Sequence, residues 1–153
     1  MIIIMMIISL IIDIVSKIIV VNNIAFNESV NIINNFLSIT YVKNTGVAWS
    51  IFSGRSYMII VISLLIIGGI IWYIFNNKPN SNIERVSYGV ILGGAIGNFI
   101  NRIKYGYVID FIDIKIFNYN YPIFNLADTF IVIGVILLII YAWRYGSNGD
   151  RGK

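Results

Sequence analysis

Asp128 stands three residues into an apolar stretch, Leu126 to Trp143, that is long enough to cross a bilayer. A carboxylate in the first turn of a transmembrane helix is expensive to bury, and intramembrane acids usually serve a function. An acid at that place also complements the positive end of the helix dipole, which is the plainer reading. Asp110 and Asp113 lie within twenty residues upstream. Two carboxylates brought together cannot both ionise cheaply, so one keeps a proton while the other acts as a base. That equipment activates water against a peptide carbonyl. Spacing alone leaves open whether Asp110 or Asp113 is the partner.

Other polar groups are set where an apolar chain has little use for them. Asp13 and Lys17 form an i, i+4 pair with the acid first, the favourable order on a helix. As a buried ion pair they would hold the floor of a site. Asn98 and Arg102 are one helical turn apart and share a face; an arginine at a membrane boundary is also a common snorkelling anchor. The run Gly93-Gly94-Ala95-Ile96-Gly97 offers small residues for close backbone packing. Histidine and cysteine are both absent. Disulfides, thiol nucleophiles, the usual zinc ligands and a Ser-His-Asp triad are therefore excluded. Chemistry is left to carboxylates, lysine, hydroxyls and amides.

Four stretches could position these groups: 1–21, 57–75, 86–103 and 126–143. Each approaches the roughly 20 apolar residues that a helix needs to span about 30 Å of hydrocarbon. The first lacks a basic leader and a small-x-small cleavage site, so it is expected to remain as a helix. Asn76 to Arg85 is a short polar turn around Pro79, whereas 22–56 and 104–125 are longer and mixed. Leu37, Ile39 and Tyr41 alternate with Ser38, Thr40 and Val42. With Asn44-Thr45-Gly46 as a turn before Val47 to Phe52, this predicts a small hairpin. The whole reads as a single integral membrane domain, with no repeat or second soluble domain.

Composition agrees. Of 153 residues, 58% are hydrophobic and 12% charged, about half the charge of an ordinary soluble domain. That excludes a water-soluble globule, a disordered chain and a nucleic-acid arm. Isoleucine is so abundant, 38 residues against 5 alanines, that it is poor evidence for strands. With four crossings, the loops after the first and third spans share one side of the membrane. Asp13 and Lys17, about 18 and 24 Å along the first span at 1.5 Å per residue, approach that same side. So do Asn44, Arg102, Asp110, Asn125 and Asp128. Leaving out Lys17 inside the first span, lysines and arginines divide five against five between the two sides, so the positive-inside rule leaves orientation open.

Five strings occur in order: Asp13-Ile14-Val15-Ser16-Lys17, Asn44 through Gly46 to Ser50, Gly93 through Asn98, Arg102 through Gly106 to Asp110-Phe111, and Phe124-Asn125-Leu126-Ala127-Asp128. Together they resemble the lipoprotein signal peptidases, the type II signal peptidases of bacteria, from about residue 9 to 144. The resemblance implies an α-helical membrane protein with four transmembrane helices and a small extracytoplasmic β-sheet cradle formed by the loops. It implies an aspartic endopeptidase of the bacterial cytoplasmic membrane, with both termini cytoplasmic and the site near the outer face. Asp110 and Asp128 match the family's catalytic aspartates, and Asp113 has no such match. Asn44, Gly46, Asn98, Arg102 and Asn125 fall at positions that place substrate or carboxylates. Asp13 and Lys17 match a supporting pair. Two positions depart from the pattern: Asn101 stands where an aspartate is usual, removing a charge beside Arg102, and Trp49 replaces a common phenylalanine.

The implied reaction removes the signal peptide from a diacylglyceryl-prolipoprotein, just before the lipidated cysteine. No cofactor and no metal are expected; the partners are the substrate and membrane lipid, with no nucleic acid, and the protein is expected to be a monomer. The competing reading is a small transporter or proton relay built on intramembrane carboxylates. Against it, the charges gather at one face and none lies near the middle of the second, third or fourth span.

Overall fold

Apolar runs uninterrupted by proline become four long helices, and the two mixed loops between them contribute a sheet. The structure is a computed structural model that describes residues 1–46, 56–117 and 119–146. The order is α1 (Ile2–Asn23), β1 (Ser29–Ile33), β2 (Leu37–Asn44), α2 (Ser56–Asn77), α3 (Asn82–Tyr105), β3 (Val108–Ile116), β4 (Tyr119–Asn120) and α4 (Leu126–Gly146). Each helix covers one expected stretch and overruns it by up to about a turn.

Three helices, α1, α2 and α4, are long and apolar enough to cross a membrane. α3 is as long, at 24 residues, but less apolar. The reason is its position: it packs against α1, α4 and α2, and buries Ser87, Gly93, Gly94, Gly97, Asn98 and Asn101 among its neighbours. A helix shielded by other helices needs small and polar residues for packing, not lipid-facing side chains. Its ends are well defined. Ser81 and Glu84 form a capping box at the start, and Gly106, at φ 77°, ends it in the left-handed conformation that glycine adopts without strain.

α1 is polar inside and apolar outside. Its buried residues are Ser9, Asp13, Lys17 and Val20, a stripe at spacings of four, four and three that faces the other helices. Ile3, Ile4, Ile11 and Ile18 point outward. The glycines of α3 let that polar stripe come close. A Cβ at Gly97 would strike Asp13 Oδ2, and one at Gly94 would strike the Ala127 carbonyl of α4.

The sheet is antiparallel in the order β1-β2-β3-β4. β2 is the strand expected from the alternation at 37–42, but within the described residues its partners are β1 and the distant β3. The proposed return strand at Val47 to Phe52 lies outside the described residues. Val20, Tyr41, Ile109 and Phe111 form the buried cluster that docks the sheet on the end of α1. Phe124 then ties the chain back to β3: its carbonyl accepts from Phe111 N at 3.0 Å and from Ile112 N at 2.7 Å. The next residue, Asn125, is thereby set beside Asp110 just before α4 begins.

Candidate active site

Strand geometry separates the two acids of β3. Side chains three apart on a strand face opposite sides. Asp110 turns inward, 1% exposed, while Asp113 opposes Ser38 across the sheet and accepts from Thr40 Oγ1 at 2.9 Å. Asp113 therefore belongs to a polar ladder on the sheet, and Asp110 is the acid that meets α4.

Asp128 is held by the start of its own helix. Asn125 Oδ1 accepts from Asp128 N at 3.0 Å, and Asn125 N donates to Asp128 Oδ2 at 3.3 Å. This is a reciprocal capping box, built from Asn and Asp rather than Ser and Glu. The same asparagine reaches across to β3, where its Nδ2 donates to Asp110 Oδ1 at 2.5 Å. Asn44, at the end of β2, donates to the other oxygen, Asp110 Oδ2, at 2.7 Å. Asn98 of α3 donates to Asp128 Oδ1 at 2.7 Å. Every oxygen of both carboxylates thus accepts an N–H, and among the described residues no buried side-chain polar atom lacks a partner.

Below this layer lies the α1 pair. Lys17 Nζ donates to Asp13 Oδ2 at 2.8 Å and to Asn98 Oδ1 at 3.0 Å. Asp13 Oδ1 accepts from Ala127 N at 3.1 Å, at the positive end of α4. Asp13 and Lys17 are both almost fully buried and form a close ion pair. Their link to Asn98, 81 residues away, has no counterpart in sequence periodicity. The one available signal was that Ser9, Asp13 and Lys17 recur every fourth residue on an otherwise apolar helix.

Arg102 lies at the cavity but forms no ion pair among the described residues; its Nη2 donates to Gly46 O over a long 3.4 Å. Gly46 also donates its N–H to Asn44 Oδ1 at 2.9 Å, so the 44–46 turn holds both Asn44 and Arg102. Asn101 does not act on Arg102 through a hydrogen bond. Its Oδ1 accepts from Ile109 N at 3.2 Å and so aligns the entry to β3, a task that an amide performs without adding a buried charge. Trp49 lies outside the described residues.

Asn44, Asn98, Arg102, Asp110 and Asp128 line one cavity of about 520 Å³. Its remaining wall is mostly apolar, from Ile114 and Ile116 of β3, Tyr121 to Phe124, and Ile131 to Ile133 of α4. Apart from Phe124, that apolar wall was not singled out from sequence, because isoleucine is everywhere in this chain. Burial and the charge of Asp128 push the Asp110 carboxyl up to about 7, against the opposing pull of its Asn44 and Asn125 donors. A carboxyl near neutrality beside a second acid can hold or release a proton at working pH. Among the described residues no three acidic side chains converge as they would around a metal ion.

Comparison with known proteins identifies the family. The family described as signal peptidase (SPase) II matches residues 5–144. The lipoprotein signal peptidase of Halothermothrix orenii is 40% identical over 147 residues, covering 96% of this chain and 98% of that protein. The lipoprotein signal peptidase of Clostridium novyi is 38% identical over 139 residues, covering 90% and 94%. A solved structure described as a bacterial membrane enzyme, determined by the in meso method at 2.3 Å, aligns with a TM-score of 0.90 at 35% identity, covering 99% of this chain and 93% of that one. With the matched segment running from α1 to the end of α4, the chain belongs to the signal peptidase II family and is a membrane peptidase.

Proposed function

We propose that the chain removes the signal peptide of a diacylglyceryl-modified prolipoprotein, cutting before the lipidated cysteine, with Asp110 and Asp128 as its acid and base. The observation that carries this reading is the shared hold of Asn125 on both acids at one cavity whose remaining wall is mostly apolar. The ionised member takes a proton from water, and the hydroxide oxygen adds to the scissile carbonyl carbon. The protonated member gives its proton to the leaving nitrogen as the C–N bond breaks. The pair ends with one proton, as it began, now on the other carboxylate. Because the two titrate together, these roles belong to the pair.

Arg102 and Asn44 face the cavity with donors suited to the substrate backbone or the developing oxyanion. The isoleucine wall suits the acyl chains and the apolar signal helix, entering sideways from lipid. In the bilayer, α3 crosses together with the three more apolar helices. Both termini then lie in the cytoplasm, and the sheet lies on the outer face. Both acids and their amide donors are supplied by one chain, so the proposed catalysis needs no second copy.

Incubation of purified protein with a lipidated and an unlipidated precursor tests the substrate. Cleavage of the lipidated form alone is expected; equal cleavage of both contradicts lipid recognition. Proton flux in sealed vesicles without any cleavage would favour the relay instead, although no charged residue lies between Tyr57 and Phe75 of α2.

A further inference from the structure

Three buried amide and ammonium groups form a directed chain beneath the two acids. An ammonium has donors only, whereas an asparagine amide has a donor end and an acceptor end. Lys17 is 2% exposed and meets Asn98 at 3.0 Å, so Asn98 must turn Oδ1 toward it. Asn98 Nδ2 is then forced toward Asp128 Oδ1, at 2.7 Å. Asn98 Oδ1 also accepts from Asn125 Nδ2 at 3.2 Å, which turns the second hydrogen of that amide to Asp110 Oδ1 and leaves Asn125 Oδ1 for Asp128 N. The chain has no freedom left once its first member is oriented.

We infer that Lys17 is a positioning residue that sets the direction of the Asn98–Asn125 amide chain, so that Asp110 and Asp128 both face donors. This inference rests on the proposed acid-base pair. Without the ammonium, Asn98 Oδ1 keeps only the longer 3.2 Å bond from Asn125 Nδ2, and the amide can turn to present Oδ1 to Asp128. An acceptor facing a carboxylate oxygen requires a proton between them, and the pair then releases its base only at higher pH. Among the described residues, the charged and titratable groups around this centre are Asp13 and Lys17 from α1, Arg102 from α3, Asp110 from β3 and Asp128 from α4, with Tyr121 on the cavity wall. An ion pair that merely glued helices together would not affect which end of Asn98 meets Asp128.

The test combines Asp13→Asn with Lys17→Met, which removes the ion pair without stranding a buried charge and preserves side-chain volume. Cleavage of a lipidated precursor is followed against pH in detergent-purified protein. The expected result is a fall of about tenfold or more in kcat, little change in KM, and an acidic limb moved up by about one pH unit. Lys17→Arg, which keeps a donor-only cation, should restore the wild-type pH profile. A folded double variant with an unchanged profile and kcat overturns the inference. Should the double variant fail to accumulate, selective 15N-asparagine NMR of the wild-type protein decides: the Asn98 amide protons are expected to shift as the acid pair titrates, and their insensitivity to pH overturns it. Full cleavage by Asp110→Asn or Asp128→Asn would instead remove the acid-base reading beneath it.

Discussion

Asn125 and Asp128 hold each other through two hydrogen bonds at the first turn of α4, each backbone N–H meeting the other's side chain. The box that starts the helix therefore also aims the acid. Because Asn125 is 0% exposed and spends its remaining donors on Asp110 and Asn98, one residue links helix initiation to the distance between the two carboxylates.

Asn125→Ala removes the cap and both cross-links. Loss of a cap costs about 0.5–2 kcal/mol, and a misplacement of about 1 Å costs about 10²-fold in rate. The expected outcome is a kcat about 10²-fold lower with a smaller loss of thermal stability, measured by cleavage and by melting of the purified protein. A variant that melts early but cleaves normally would contradict the coupling.

Activity should fall on the alkaline side above about pH 7, the value to which Asp110 is raised, where the pair gives up its last proton and has no acid left. Asn44→Ala removes a donor that favours the ionised form of Asp110. The alkaline limb should then move to higher pH while turnover drops. A limb that stays in place would detach it from Asp110.

Stability should show the same group. The folded carboxyl of Asp110 is raised from 3.8 to about 7. The folded chain therefore binds more protons than the unfolded one between those values, and stability is lost as pH rises through about 7. At 1.36 kcal/mol per unit the effect is on the order of 4 kcal/mol. Melting curves from pH 4 to 8 should lose this slope in Asp110→Asn.

Gly97→Ala puts a methyl group into Asp13, and overpacking of this kind costs about 1–3 kcal/mol. Lower melting temperature and reduced cleavage are expected together, because Asp13 holds both Lys17 and Ala127 N. Ala at the exposed Gly68 or Gly69, where a Cβ meets nothing within 4 Å, should leave cleavage unchanged without lowering the melting temperature, since alanine favours the helix interior over glycine.

The helices were legible because bilayer-length apolar runs have few other solutions, and α3 was legible as a stretch from 86 to 103 without charge before Arg102, its glycine run read as a packing surface. Asp110, Asp128 and the polar residues near them were legible through the resemblance, whereas spacing alone left Asp113 open. Strand alternation decides that choice only when the register is known. β2 was found from its period of two, but its pairing with β3 joins residues such as Asn44 and Val108, and no local pattern predicts a contact over that range. The Lys17–Asn98 bond escaped for the same reason. The cavity wall was hidden by composition, since an isoleucine facing lipid and one facing substrate look alike in sequence.

The most direct test places Asp110→Asn, Asp128→Asn and Asp113→Asn side by side, each folded in lipid, with a diacylglyceryl-modified precursor. The first two should accumulate yet show no cleavage, and the third should process substrate at close to the wild-type rate. Substantial cleavage by either of the first two, or its loss in the third alone, would contradict the pairing of Asp110 with Asp128.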